Sequence, residues 1–114
     1  MSMHNHEGII WSNAMQGVNR RSGPGEDYAA IDTLQAGQPL VVLCYSQGEP
    51  VTFTNPFQTN TSDAWDFVVT SDQDPGGYVA DVFIDTGGDT TQQFGEQGRC
   101  DILQQRFAPN QPVG

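Results

Sequence analysis

The sequence predicts an all-β domain, a small barrel of about five short strands with long loops and an extended arm at each end. Two observations carry that expectation. The chain has 13 glycines and 7 prolines among 114 residues, a density that punctuates short strands and breaks helices. Its apolar runs are short, rich in β-branched and aromatic residues, and bounded by turn clusters. No helical period persists beyond about two turns, the one candidate being "TTQQFGEQ" at 90–97.

Taken in order, residues 1–16 are mixed and polar, and only Ile9, Ile10 and Trp11 look able to dock against anything. The body begins at Gly17. "VNRRSGPGEDY" contains a Ser-Gly-Pro-Gly cluster that forces a loop, in which Gly23 and Gly25 supply backbone freedom and Pro24 stiffness. "AAIDTL" follows as a strand, "AGQ" turns, and "PLVVLCY" reads as a central strand. "VTFTN" and "AWDFVVT" are two more strands around a polar loop, "SDQDPGG" is a forced turn, and "YVADVFI" closes the body. Five such strands bury one face only by curling, with Leu34, Val41, Leu43, Trp65, Val68 and Val79 as the expected core. Residues 101–114 read as an extended tail containing Pro109 and Pro112. The division is therefore an arm at 1–16, a domain at 17–100 and a tail at 101–114.

Charge narrows the partners. Fourteen acidic residues face four arginines and no lysine, for a formal net charge of -10. That field repels nucleic acid, anionic membrane surfaces and anionic wall polymers, and it favours cationic ligands, divalent metals or simply solubility. Cys44 and Cys100 are an even pair in a small, glycine-rich chain, which fits a disulfide in an oxidising compartment; the alternative is one buried thiol and one stray one. Closing that loop would stabilise the fold by roughly 4 kcal/mol on the chain-entropy model. The opening "MSMHNHEGIIWSNAM" has neither a basic start nor an unbroken apolar run, so it does not read as a signal peptide, and no segment reads as a membrane span.

The order of motifs carries a resemblance. "VNRRSGPGEDYAAIDTLQAGQPLVVL", then "WDFV", then "GGYVADVFI" resembles the bacterial SH3-like (SH3b) domain over about residues 17–85. Cys44 after the apolar strand and Cys100 beyond "DTGGD" are similar to a secreted actinobacterial subset of that family. Arg20 departs from the pattern by standing where an inward-facing Val is usual, as does Asp32, which replaces a Gly. The resemblance implies an SH3-like barrel, a location outside the cell, and recognition of cell-wall peptide.

Catalytic readings are weaker. "FIDTGG" at 83–88 imitates the Asp-Thr-Gly loop of aspartic proteases, but only 27 residues follow Gly87, too few for the strands such a subunit builds after its catalytic loop. Asp85 is better read as part of a turn leaving the last strand. Acidic pairs such as Asp63 with Asp66, or Asp72 with Asp74, lie in polar segments that keep carboxylates solvated. "DQDPG" opens like a calcium loop yet lacks a ligand at its fifth position and a Glu at its twelfth. His4 and His6 beside Glu7 make a solvated arm rather than a metal site. The expectation is no enzyme, no metal and no cofactor.

A peptide groove would draw on the aromatic residues. Tyr28, Tyr45, Phe67 and Tyr78, with Asp27, are the candidate ligand-binding set, and Tyr28 beside the long loop is the residue most expected at the surface. Two functions compete. One is a non-catalytic module binding peptidoglycan peptide or a protein; the other is a structural subunit of a virion or extracellular assembly, a homo-oligomer included, joined through Ile9, Ile10, Trp11 and the tail.

Overall fold

The computed structural model describes residues 6–87 and 98–100, and the segment at 90–97 and the tail at 101–114 lie outside them. Seven antiparallel strands form one curled, half-barrel sheet. They are β1 (His6–Ile10), β2 (Val18–Arg21), β3 (Ala30–Leu34), β4 (Pro39–Thr54), β5 (Thr59–Val69), β6 (Gly77–Ala80) and β7 (Ile84–Asp85), in the order β3-β2-β6-β5-β4-β1-β7. A single 3-10 turn, Asp81–Phe83, joins β6 to β7.

The class is as expected and the count of five is not. "PLVVLCY" and "VTFTN" are one strand, because "SQGEP" between them continues the pairing with β5 through a bulge at Gln47–Val51 instead of turning. "YVADVFI" is divided by the 3-10 turn. "VNRR" is itself a strand, although its two arginines disguise it. The arm at 1–16 is not outside the body either: β1 lies between β4 and β7, pairing His6–Ile9 with Pro39–Val42 and Ile9–Ile10 with Ile84–Asp85. Its five residues carry no long apolar run, so only their non-local partner makes them a strand.

The core is built from alternate residues, with one change of phase. Ile10, Val18, Leu34, Leu40, Val42, Tyr45, Val68, Val79 and Ile84 form the main cluster, and Trp65, Ala80 and Val82 a second. In β4 the buried residues are Leu40, Val42 and Tyr45; the expected Val41 and Leu43 are only half-buried. The strand enters in the phase of Leu40 and Val42, which turns Val41 away, and a bulge between Val42 and Cys44, which pair with Val68 and Phe67 respectively, then leaves Leu43 extra. A bulge of one residue exchanges the faces beyond it. Tyr45 is thereby turned inward and Cys44 off the core face, where it bonds to Cys100. Arg99 makes a parallel bridge to Tyr45, so this short segment is fastened along β4.

Arg20 sits on the core side of β2 and is only 5% exposed. Its guanidinium grips Asp32 of β3 through both carboxylate oxygens, Nε to Oδ1 at 2.9 Å and Nη2 to Oδ2 at 2.6 Å. Nη1 donates to Asp74 Oδ2 at 2.5 Å and to the Val68 carbonyl at 3.4 Å. Asp74, in the β5–β6 loop, also accepts from the Thr70 amide, the Thr70 hydroxyl and the Gly76 amide. Burial alone would raise the Asp74 pKa; the guanidinium and those three donors outweigh it and hold the carboxyl far below its usual range. The expected calcium-loop mimic is thus a counter-ion. Gly76, at φ +90°, completes its turn with a backbone that a side chain would strain.

Two tests follow from the ion pairs and the disulfide. Asp74→Ala removes one of the two counter-ions of the buried Arg20 and the acceptor of three further donors, and should cost about 2–3 kcal/mol in urea unfolding at neutral pH, whereas Asp32→Ala, at a half-exposed carboxylate, should cost about 1. Because the folded Asp74 pKa is depressed, its contribution is complete above the unfolded value of about 4 and is lost as pH falls below it; the Asp74→Ala protein should show a flatter decline there. For Cys44–Cys100, the intact mass should lie two hydrogens below the reduced mass. Reductant should lower the melting temperature, consistent with a loss of roughly 4 kcal/mol.

Candidate functional site

The β2–β3 hairpin carries the loop at 22–29, which is long, glycine-rich and acidic, yet thoroughly fastened. Ser22 N–H donates to the Ala29 carbonyl at its base, and Tyr28 N–H donates to the Gly25 carbonyl. Arg21 reaches across with Nη1 to the carbonyls of Glu26 (3.2 Å) and Tyr28 (3.0 Å). From β4, Glu49 Oε1 accepts the Glu26 amide at 2.7 Å, and Glu49 N–H donates to the Pro24 carbonyl. Gly48 permits this approach: a Cβ there would stand 1.9 Å from the Pro24 oxygen.

The Tyr28 ring lies on the glycine backbone. A Cβ on Gly23 would be 2.4 Å from its Cδ1, and one on Gly25 would be 3.5 Å from its Cδ2, so the two glycines form the seat for the ring. The other side remains open, leaving Tyr28 48% exposed. Asp27 and Glu26 are exposed beside it in the loop, and Glu49 is exposed at its edge. The loop thus presents a seated, half-exposed ring together with three exposed acidic residues, while the Arg21 guanidinium is engaged by the loop's carbonyls, a combination suited to an organic cation.

The other expected ligand residues are distributed differently. Tyr45 belongs to the core, turned inward by the bulge, and takes no part in a surface groove. Phe67 and Tyr78 are half-buried and pack edge-to-face, with centroids 5.2 Å apart on neighbouring strands. Tyr78 is the register partner of Arg21, one strand away from the loop's base, while the Tyr28 ring rests on glycine rather than on this pair. Arg21, Glu26 and Glu49, which shape the loop, had no sequence signal beyond their charge.

The proposed assembly residues are also reassigned. Ile10, the last residue of β1, is fully buried in this chain's own core, and Trp11, directly after it, donates its N–H to the Phe83 carbonyl. Ile9 remains 40% exposed on the opposite face. His6 directs Nε2 to the Thr86 carbonyl at 2.9 Å, and His4 lies outside the described residues. Among the described residues no three His, Cys, Asp or Glu side chains cluster to hold a metal ion, and no helix is long and apolar enough to cross a membrane. The disulfide fits an oxidising compartment.

Asp85 occupies β7, opposite Ile9, and its Oδ1 accepts the Gly87 amide at 3.1 Å. Gly87 has φ +86°. The "DTG" triplet is therefore a strand-to-turn corner.

No family model matches the chain, and no solved structure matches it. Two proteins of Bacillus subtilis (strain 168) are similar to it. "Uncharacterized protein YraI" is 32% identical over 75 residues, covering 63% of this chain and 60% of that protein. "Uncharacterized protein YraJ" is 35% identical over 75 residues with the same coverage. The chain spans about 60% of the length of these relatives.

The corner role of Asp85 is checked by Asp85→Asn. The amide oxygen still accepts the Gly87 N–H, so stability should change by no more than about 0.5 kcal/mol. Peptide cleavage by the native protein that disappears in this variant would restore the protease reading.

Proposed function

We propose that this chain is a non-catalytic, extracellular SH3b-like binding module that holds cell-wall peptide through the loop at 22–29. The observation that carries the reading is Tyr28, a half-exposed aromatic ring seated against Gly23 and Gly25 in a loop that also exposes Glu26 and Asp27 and is braced by Glu49. A ring of this kind attracts an ammonium group over its face, and carboxylates around it add Coulomb attraction. Free amines on peptidoglycan stem peptides supply such a group. Because the loop is already tied at Ser22, Pro24, Glu26 and Tyr28, binding costs little ordering. The Cys44–Cys100 bond is consistent with a location outside the cell. The structural-subunit reading has less support, since Ile10 is spent on this chain's own core.

Sedimentation with purified peptidoglycan tests the proposal. Native protein should co-sediment, Tyr28→Ala should weaken binding at least about tenfold, and Glu26→Gln with Asp27→Asn should weaken it and reduce its salt dependence. Wall binding unchanged by Tyr28→Ala, or no wall binding by the native protein, overturns the reading.

A further inference from the structure

At the far end of the β4–β5 hairpin the sheet encloses a second concave surface. The hairpin tip turns at Asn55, whose Oδ1 accepts the amides of both Phe57 and Gln58 at 2.8 and 3.0 Å. Asn13 Nδ2 donates to the Thr54 carbonyl at 2.7 Å, which ties the tip to the turn after β1. Phe57 and Trp11 then meet edge-to-face with centroids 5.8 Å apart and planes 64° from parallel. Together with the 3-10 turn and β7 they bound a cleft of about 400 Å3.

The lining is chemically mixed. Trp11 and Phe57 provide aromatic surface, Gln58 and Asn60 provide side-chain amides, and Asp81 and Asp85 provide carboxylates. Among the described residues, no arginine, lysine or histidine lines it. Phe57 is 81% exposed, a large ring at the surface of a turn that Asn55 closes.

Each simple ligand class leaves part of this lining unused. An anion would meet two carboxylates and no cation. A purely apolar molecule would strip water from the amides and carboxylates without replacing their hydrogen bonds. A lone amine would engage the carboxylates and an aromatic face but leave both side-chain amides idle. A pyranose ring satisfies all three groups, because it has an apolar C–H face for an aromatic ring and hydroxyls around its edge for amides and carboxylates. We propose that this cleft is a binding site for a short, uncharged oligosaccharide, separate from the Tyr28 loop and independent of the function assigned to it.

The two tryptophans make the test direct. Trp11 lines the cleft, whereas Trp65 is buried and donates its indole N–H to the Glu49 carbonyl at 2.8 Å. The full chain, labelled with 15N, is titrated separately with tri-N-acetylchitotriose, cellotriose and lysine amide. Saturable movement of the Trp11 indole and the Gln58 and Asn60 side-chain amides with at least one trisaccharide, with the Trp65 indole unmoved, is the expected result. Phe57→Ala should raise the Kd at least about tenfold while the rest of the spectrum stays native-like, and Tyr28→Ala should leave it unchanged. The proposal is overturned if neither trisaccharide gives a saturable shift by roughly 10 mM, a limit of weak binding near 3 kcal/mol. It is equally overturned if lysine amide alone moves Trp11, if Phe57→Ala binds as the native protein does, or if Tyr28→Ala abolishes the sugar response.

Discussion

The half-barrel depends on the Arg20 clasp. Between β2 and β6 the sheet is joined at a single register pair, Arg21 with Tyr78, so the β2–β3 hairpin is attached to the rest of the sheet by very little backbone pairing. Arg20 supplies what the ladder lacks. Its guanidinium holds Asp32 on one side of that junction and Asp74 and the Val68 carbonyl on the other. Gly77 lets the stem through, since a Cβ there would lie 2.7 Å from the Arg20 Cγ. A valine at position 20 would fill space but could not reach across. The loop carrying Tyr28 hangs from this hairpin, so its placement over β4 depends on the clasp as well as on its own hydrogen bonds.

What could be read from the sequence was what local pattern determines. The turn at Gln35–Gln38, the buried strand positions Val68 and Val79, the buried Trp65 and the surface position of Tyr28 all follow from residue type and immediate neighbours. What escaped was set by distant partners. "VNRR" looks like loop until Asp32 and Asp74 neutralise Arg20, and "HEGII" looks like an arm until β4 and β7 flank it. The β4 faces were misassigned because an unbroken apolar run such as "PLVVLCY" marks neither the phase of Leu40 and Val42 nor the bulge that follows them.

The candidate binding surfaces show the same division. The aromatic residues were visible, but which of them were structural was not: Tyr45 fills the core, Phe67 and Tyr78 support each other, and only Tyr28 is presented on a fixed seat. Trp11 and Phe57 are 46 positions apart and share no motif, so nothing local joined them into one wall. One strand pair serves both surfaces, with Glu49 bracing the acidic loop and Asn55 shaping the distant cleft.

The bulge at Leu43 has a consequence for how the oxidised chain checks its own assembly. If β4 paired without that extra residue, Cys44 would fall on the same face as Leu40 and Val42, toward the core, while Tyr45 would turn outward. Cys100, carried by a segment lying alongside Tyr45, would then find no sulfur facing it. The covalent bond therefore acts as a proofreader of strand alignment. It closes on the chain whose zipper is seated with the correct tooth skipped, and a misaligned zipper keeps its thiols.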